Sequence, residues 1–137
     1  MTLQVEVLRL NPGDDLRAAL DAAFRKFESD GIHAASVISS VGSLSVAVLR
    51  YAAEPVGTVI AGPLEMISLS GTLSRNGPHL HSSVADSNGK VLGGHVMPGC
   101  TVRTTAEIVL ALFPQWAFTR EQDAQTGFME LVAKKKP

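Results

Sequence analysis

Three of the four histidines of this chain lie within one short stretch, residues 78–95, with the sequence PHLHSSVADSNGKVLGGH. His79 and His81 are two residues apart, so in a β-strand both side chains leave the same face. His95 follows Ser87-Asn88-Gly89, which is typical of a tight hairpin connection. Three histidines with an open fourth position are typical of a catalytic zinc site. The stretch therefore predicts a centre for zinc or a similar divalent metal at His79, His81 and His95.

The prediction depends on the register of the hairpin. If Ser87-Asn88-Gly89 form a three-residue loop, the ladder places His81 directly opposite His95, with their Cβ atoms roughly 4.5–5.5 Å apart. A two-residue loop would instead place His95 opposite Ser82 and turn it to the other face. A bulge or a close backbone contact is predicted at Gly93-Gly94, and a bulge would also move His95 off the shared face.

If the three histidines do not share a face, they bind no metal: His79 and His81 are surface residues and His95 is a buried, hydrogen-bonded residue. If they share a face, the candidates for the fourth metal ligand are Glu65, Cys100, Glu107 and water. The catalytic candidates are Glu65, as a general base or as a mere edge charge, and Arg103, as an anion-binding or a solvated residue. No Walker-type or dinucleotide glycine pattern and no G-x-S-x-G turn occurs in the sequence, which argues against a nucleotide cofactor and against a serine hydrolase.

Strands must position these residues, and most of the chain has strand-like patterns. Between Leu16 and Phe27, apolar residues recur at three- and four-residue spacing, which predicts an amphipathic helix that Asp14 caps and Gly31 ends. Alternating or β-branched runs predict strands at residues 3–10, 35–41, 44–51, 59–60, 65–73, 102–113, 116–119 and 128–132, besides the histidine hairpin. Breaks are predicted at Gly42 and at Gly62-Pro63.

The composition is that of one globular domain. The chain has 137 residues, of which 45% are hydrophobic and 18% charged, enough to bury a core. The predicted fold class is α/β (α+β): a mostly antiparallel sheet with one main helix. One helix covers only part of such a sheet, so another layer or a partner subunit is expected to cover the rest, and we expect an oligomer.

The net charge and the number of cysteines indicate which partners and which cellular compartment to expect. The net charge is −1, which does not support DNA as a partner, because nucleic-acid binding usually needs a basic face. Cys100 is the single cysteine, which fits a reducing compartment. No stretch has the length and apolarity of a membrane span, and we expect a cytoplasmic protein.

The sequence resembles the plants and prokaryotes conserved (PPC) domain, in its stand-alone prokaryotic form. The resemblance rests on the helix opening at Gly13-Asp14-Asp15 and on four longer runs. These runs are VISSVGSLSVAVLR at 37–50, GPLEMISLSGTLS at 62–74, PHLHSSVADSNGKVLGGHV at 78–96 and GCTVRTTAEIVL at 99–110, with the turn at 123–127 completing the pattern. It implies a PPC domain over residues 1–133, with a polar tail at 134–137.

The family implies a homotrimer built around an antiparallel sheet. In plants the domain follows an AT-hook in nuclear DNA-binding proteins, and this sequence has no Arg-Gly-Arg-Pro core. A more distant similarity is to the acetolactate decarboxylase fold, in which an H-x-H pair and a later histidine hold zinc. Together these resemblances imply a metal at His79, His81 and His95 and a small-molecule ligand. The alternative is a regulatory DNA-binding protein without the AT-hook.

Overall fold

The computed structural model describes residues 3–137, which form eight strands and one helix. In chain order these elements are β1 (Gln4–Leu10), α1 (Leu16–Ser29), β2 (Ala35–Arg50), β3 (Thr58–Leu73), β4 (His79–Ala85), β5 (Val91–Val96), β6 (Thr101–Leu112), β7 (Trp116–Gln122) and β8 (Met129–Lys135). The predicted fold class, a mostly antiparallel sheet with one main helix, is confirmed.

Six strands form one antiparallel sheet in the order β1-β6-β2-β3-β4-β5. β5 also pairs with the end of β2, where Arg50 lies opposite His95. This contact closes β2, β3, β4 and β5 into a ring. β7 and β8 form a separate hairpin, which meets the rest of the chain at a bridge between His33 and Ala117. β8 continues through Lys135, so the predicted tail begins inside a strand.

The helix α1 packs one apolar face against the sheet. Its buried residues are Leu16, Leu20 and Phe24. The N-cap is Asp15, whose carboxylate accepts a 2.9 Å hydrogen bond from the amide of Ala18. The prediction of Asp14 as the cap is wrong, because its carboxylate instead accepts a 2.8 Å hydrogen bond from the amide of Asn11. At 14 residues α1 is too short to cross a bilayer, and the described part of the chain contains no helix that could.

β2 and β3 are each 16 residues long, where the sequence predicted two shorter strands apiece. Gly42 lies inside β2, and a Cβ there would be 2.6 Å from the carbonyl oxygen of Thr105. Gly62-Pro63 lies inside β3, and a Cβ at Gly62 would be 2.6 Å from the carbonyl oxygen of Ser45. The predicted breaks are therefore wrong, because both glycines allow close approach of a neighbouring strand rather than a turn.

The core lies inside the ring and beneath α1, and it includes Leu44, Leu49, Leu80 and Ile108. Large apolar side chains are nevertheless exposed on four strands of the sheet. They are Val5 and Val7 on β1, Ile38 and Val41 on β2, Val59 and Ile67 on β3, and Val91 on β5. The single helix therefore leaves apolar surface on the sheet open to a further layer.

Candidate metal centre

β4 places two of the histidines on its outer face. Leu80, Ser82 and Val84 alternate along the strand as buried residues, whereas His79 is half-buried and His81 is exposed. The two-residue period of a strand thus directs the apolar side chains into the ring and both imidazoles away from it.

The hairpin that follows brings in the third histidine. Its loop is Ser87-Asn88-Gly89, and the glycine has a φ of 78°. The amide of Asp86 donates to the carbonyl of Lys90 at 3.0 Å, and the Asp86 carboxylate accepts from the Lys90 amide at 3.0 Å. His81 lies directly opposite His95. The three-residue loop is confirmed, and the two-residue alternative is wrong.

Gly93-Gly94 continues this ladder without a bulge, opposite Ser83 and Ser82. A Cβ at Gly94 would lie 2.7 Å from the carbonyl oxygen of Arg50. The glycine therefore lets β2 approach β5, which is the close backbone contact of the two predicted alternatives. His95 consequently stays on the face that it shares with His81.

The three imidazole rings form a triangle. Their centroids are 5.1 Å apart for His79 and His95, 5.2 Å for His79 and His81, and 5.7 Å for His81 and His95. One ring nitrogen of each lies within 4.8 Å of the others. A tetrahedral zinc ion holds its nitrogen ligands about 3.3 Å apart. Side-chain rotation that shortens these nitrogen–nitrogen separations by at most about 1.5 Å is therefore enough for one ion to contact all three.

Burial and positive charge keep two of these imidazoles neutral at pH 7. Burial, and next the Arg120 guanidinium, lower the pKa of His79. The pKa of His95 is lowered from 6.5 to about 4, first by burial and then by His79 and Arg50. A neutral imidazole has one ring nitrogen that carries no proton. His79 and His95 therefore need not lose a proton before they bind a metal at neutral pH.

The donor set suits zinc and its neighbours among the transition metals. Imidazole nitrogen favours zinc, copper, iron and nickel, whereas magnesium and calcium prefer oxygen. Of the predicted fourth ligands, Cys100 is buried in the core with its Sγ 3.2 Å from the amide nitrogen of Val48. Glu107 is exposed on β6, opposite Val41. Within residues 3–137, the three histidines form a group that no further histidine, cysteine or acidic residue joins.

The two catalytic candidates lie elsewhere. Glu65 and Arg103 line a separate depression of about 170 Å³. Glu65 is opposite Ala85, which is four residues along β4 from His81, a distance of roughly 13 Å at the rise of a strand. The structure therefore brings Glu65 and Arg103 together but does not bring them to the histidines.

Two other arginines lie at the histidines, and the sequence did not point to either. Arg50 pairs with His95 across β2 and β5, so both side chains leave the same face. Arg120 on β7 has its Nη1 2.6 Å from Nδ1 of His79. Both contacts arise from long-range packing, so no local sequence pattern indicates them.

Two cavities open beside the triangle. One, of about 270 Å³, is lined by His79, His81 and Arg120 among others. The other, of about 340 Å³, is lined by His81, His95 and Arg50 among others. Both are at or below the lower end of the range for drug-sized ligands, so they suit small molecules.

Two curated relatives are similar to this chain over one part of a longer protein. It is 45% identical over 130 residues to "Bifunctional protein GlmU" of Synechococcus sp. (strain JA-2-3B'a(2-13)), covering 95% of this chain and 20% of that protein. The protein of the same name from strain JA-3-3Ab is 44% identical, with 98% and 21% covered. The chain thus spans about a fifth of the length of these relatives.

Solved structures share the fold over nearly the whole chain. A hypothetical protein from Salmonella cholerae-suis is 40% identical with a TM-score of 0.93, covering 99% of this chain and 96% of that one. A "Metal-containing Protein" from Archaeoglobus fulgidus is 30% identical with a TM-score of 0.75, covering 94% and 93%. A "Putative DNA-binding protein" from Ralstonia eutropha JMP134 is 24% identical with a TM-score of 0.78, covering 92% and 89%, and shows a shared fold alone.

The family assignment agrees with the fold and with the motifs of the sequence. A family model for the Plants and Prokaryotes Conserved (PCC) domain, the family abbreviated PPC above, matches residues 1–114. This match includes all three histidines and the ring of strands that holds them. The chain belongs to the Plants and Prokaryotes Conserved domain family.

Proposed function

We propose that this protein binds zinc or a similar divalent metal through His79, His81 and His95 and uses the loaded centre to bind a small molecule. The observation that carries the proposal is the triangle of imidazoles, with one nitrogen of each within 4.8 Å of the others. The name of the Archaeoglobus structure adds support, since that protein is called metal-containing.

Three protein ligands leave a fourth position for water or for a ligand atom. A bound metal of this kind lowers the pKa of its water towards about 7 and polarises a carbonyl oxygen. The ring holds His81 and His95 opposite each other by the backbone ladder, so these two ligands are positioned before the metal arrives. The two flanking cavities give a small molecule access to the fourth position.

The test is the metal content of protein purified without chelator, together with zinc titration by calorimetry. The wild type is expected to bind one zinc ion per chain, and the double variant His79→Ala/His81→Ala none. The matched control is His33→Ala, because His33 is the one histidine outside the triangle and lies near Glu28. Equal and negligible zinc in the wild type and the double variant would overturn the proposal.

The proposal includes assembly as a homotrimer, which the family resemblance implies. Its support in the fold is the exposed apolar surface of β1, β2 and β3, where Val7 is 69% and Val41 63% exposed. Stable interfaces bury about 800 Å² on each partner, and apolar strands of this kind supply such surface. Analytical ultracentrifugation is expected to give three times the 14.5 kDa of one chain, and a monomer at micromolar concentration would contradict it.

DNA binding is the second candidate, because the plant proteins that this family resemblance brings in carry the domain after an AT-hook. The lysine run at Lys134–Lys136 is the densest positive segment of the chain, although Lys135 lies 5.8 Å from the ring centroid of Trp116 and Lys136 donates to the carbonyl of Gly31. With a net charge of −1, we place this function after metal binding. Fluorescence anisotropy with duplex DNA should show an affinity that falls steeply with salt, and no binding at low salt would remove it.

A further inference from the structure

Two positively charged side chains lie on either side of the histidine triangle. The Arg50 side chain leaves the ring beside His95, since the two residues are cross-strand partners. The Arg120 guanidinium contacts His79 from the other side. Each arginine also lines one of the two cavities that the histidines border. Each cavity therefore contains metal ligands and a guanidinium.

Neither guanidinium forms an ion pair with a carboxylate within residues 3–137, whereas Arg25 and Arg75 both pair with Glu28. Arg50 makes one 3.4 Å hydrogen bond, to the carbonyl of Glu54. Arg120 donates to His79 and to the carbonyl of Met129. A guanidinium has five N–H donors, so most donors of both residues are left over. A half-buried positive charge without a counter-charge is unfavourable until an anion pairs with it.

The contact between Arg120 and His79 cannot coexist with a metal bound at His79. A neutral imidazole has one lone pair, and Nδ1 uses it to accept the hydrogen bond from Arg120, so the proton is on Nε2. A metal that binds Nδ1 displaces the guanidinium directly. A metal that binds Nε2 requires the proton on Nδ1, where it faces a donor. Whichever nitrogen binds the metal, Arg120 is released from His79, and the N–H groups that it used there become available to a ligand.

We propose that the loaded centre takes a small organic carboxylate, held between the metal and the guanidinium groups of Arg50 and Arg120. This inference rests on the metal centre proposed above. The planar fork of a guanidinium fits a carboxylate with two parallel hydrogen bonds. Glu130 lines the same cavity as Arg120, and its negative charge disfavours a phosphate dianion more than a carboxylate monoanion. Cavities of about 270 and 340 Å³ lie near the lower end of the range for drug-sized ligands, so they suit a small acid better than a large one.

The experiment uses the whole chain loaded with cobalt(II), whose visible absorption reports on the ligands of the metal. The probes are lactate, its uncharged amide lactamide, and inorganic phosphate. The variants are Arg50→Met and Arg120→Met. Arg103→Met is the matched control, since Arg103 is exposed and lines a different depression. Circular dichroism of each variant establishes that it is folded.

Lactate is expected to change the cobalt spectrum in a saturable way, and lactamide to leave it unchanged at the same concentrations. The apparent Kd for lactate should rise about tenfold or more in each of Arg50→Met and Arg120→Met, as expected for the loss of a charge-assisted hydrogen bond. It should stay at the wild-type value in Arg103→Met. Equal responses to lactate and lactamide, tighter binding of phosphate than of lactate, or wild-type affinity in both site variants would each overturn the inference.

The cobalt spectrum of the wild type, recorded before and after lactate is added, separates the two proposals. If cobalt binds and lactate does not alter its spectrum, the anion site is wrong and the metal centre stands. If cobalt gives no ligand-field spectrum with the wild type, the metal centre is wrong and the carboxylate inference falls with it.

Discussion

Removing the Arg120 guanidinium should tighten zinc binding. In the variant Arg120→Met, the lone pair of His79 Nδ1 is no longer occupied by a donor 2.6 Å away. The imidazole can then take either tautomer, so whichever nitrogen faces the metal is free to bind it. Methionine keeps the length and much of the apolar packing of the side chain, which limits the change to the polar head.

The size of the effect follows from the hydrogen bond that metal binding must break. A hydrogen bond to a charged group contributes about 1.5–3 kcal/mol, which corresponds to roughly 10- to 150-fold in affinity. In the wild type, water or a bound anion partly replaces the broken contact, so the lower end is the better expectation. We therefore expect the Kd for zinc to fall about tenfold in Arg120→Met.

The loss of a positive charge near a divalent ion acts in the same direction, so a second variant is needed to separate the two effects. Arg50→Met removes a charge beside His95 but no hydrogen bond to a histidine. Its zinc affinity should rise by less than that of Arg120→Met. Arg75→Met, which removes an exposed arginine paired with Glu28, should match the wild type.

The assay is competition with a fluorescent zinc chelator at pH 7.5, with carboxylate-free buffer. Unchanged affinity in Arg120→Met would refute the exclusion between Arg120 and the metal at His79. Weaker binding would show that Arg120 supports the centre instead. Equal gains in Arg120→Met and Arg50→Met would assign the whole effect to charge repulsion.

Three further predictions concern stability and assembly. Without metal, the protein should lose stability as the pH falls from 6.5 to about 4, because His95 takes up a proton at a higher pH in the unfolded chain than in the folded one. Chemical denaturation should show that the free energy of unfolding falls by about 1–2 kcal/mol over this range, after a discount for partial exposure. In His95→Gln the free energy of unfolding should depend less on pH. Asp86→Ala removes two loop hydrogen bonds, from the amides of Asn88 and Lys90, and should lower the free energy of unfolding by about 1–2 kcal/mol; an unchanged urea midpoint would contradict this. Val41→Glu places a charge on the exposed apolar surface and should shift the chain towards monomer in sedimentation, and a trimer that persists unchanged would exclude β2 from the interface.

The histidine face was predictable because its determinants are local. The spacing of His79 and His81 sets their common face through the two-residue period of a strand. The turn chemistry of Ser87-Asn88-Gly89 sets the register that puts His95 on that face. The strand at 102–113 was also predictable, since its β-branched density matches β6 (Thr101–Leu112).

The errors arose where a residue has two structural uses that local sequence does not distinguish. Gly42 and Gly62 are of the residue type that often ends a strand. In the structure each lies inside a strand, where the backbone of a neighbouring strand leaves no room for a Cβ. The two arginines beside the histidines were missed in the sequence for a different reason. Arg50 and Arg120 reach the histidines only through ring closure and the docking of β7, and such long-range contacts have no sequence signature.

The three histidines and one of the flanking charges come from separate parts of the chain. His79, His81, His95 and Arg50 all belong to the ring, within residues 1–114 that define the family. Arg120 belongs to the hairpin of β7 and β8, beyond that segment. Substitutions in the hairpin can therefore remove the Arg120 charge while the three imidazoles keep their positions. In the proposed carboxylate site, this division assigns one of the two guanidinium groups to a small separate module, so replacing the hairpin is expected to change the affinity for the carboxylate and leave zinc binding by the three histidines in place.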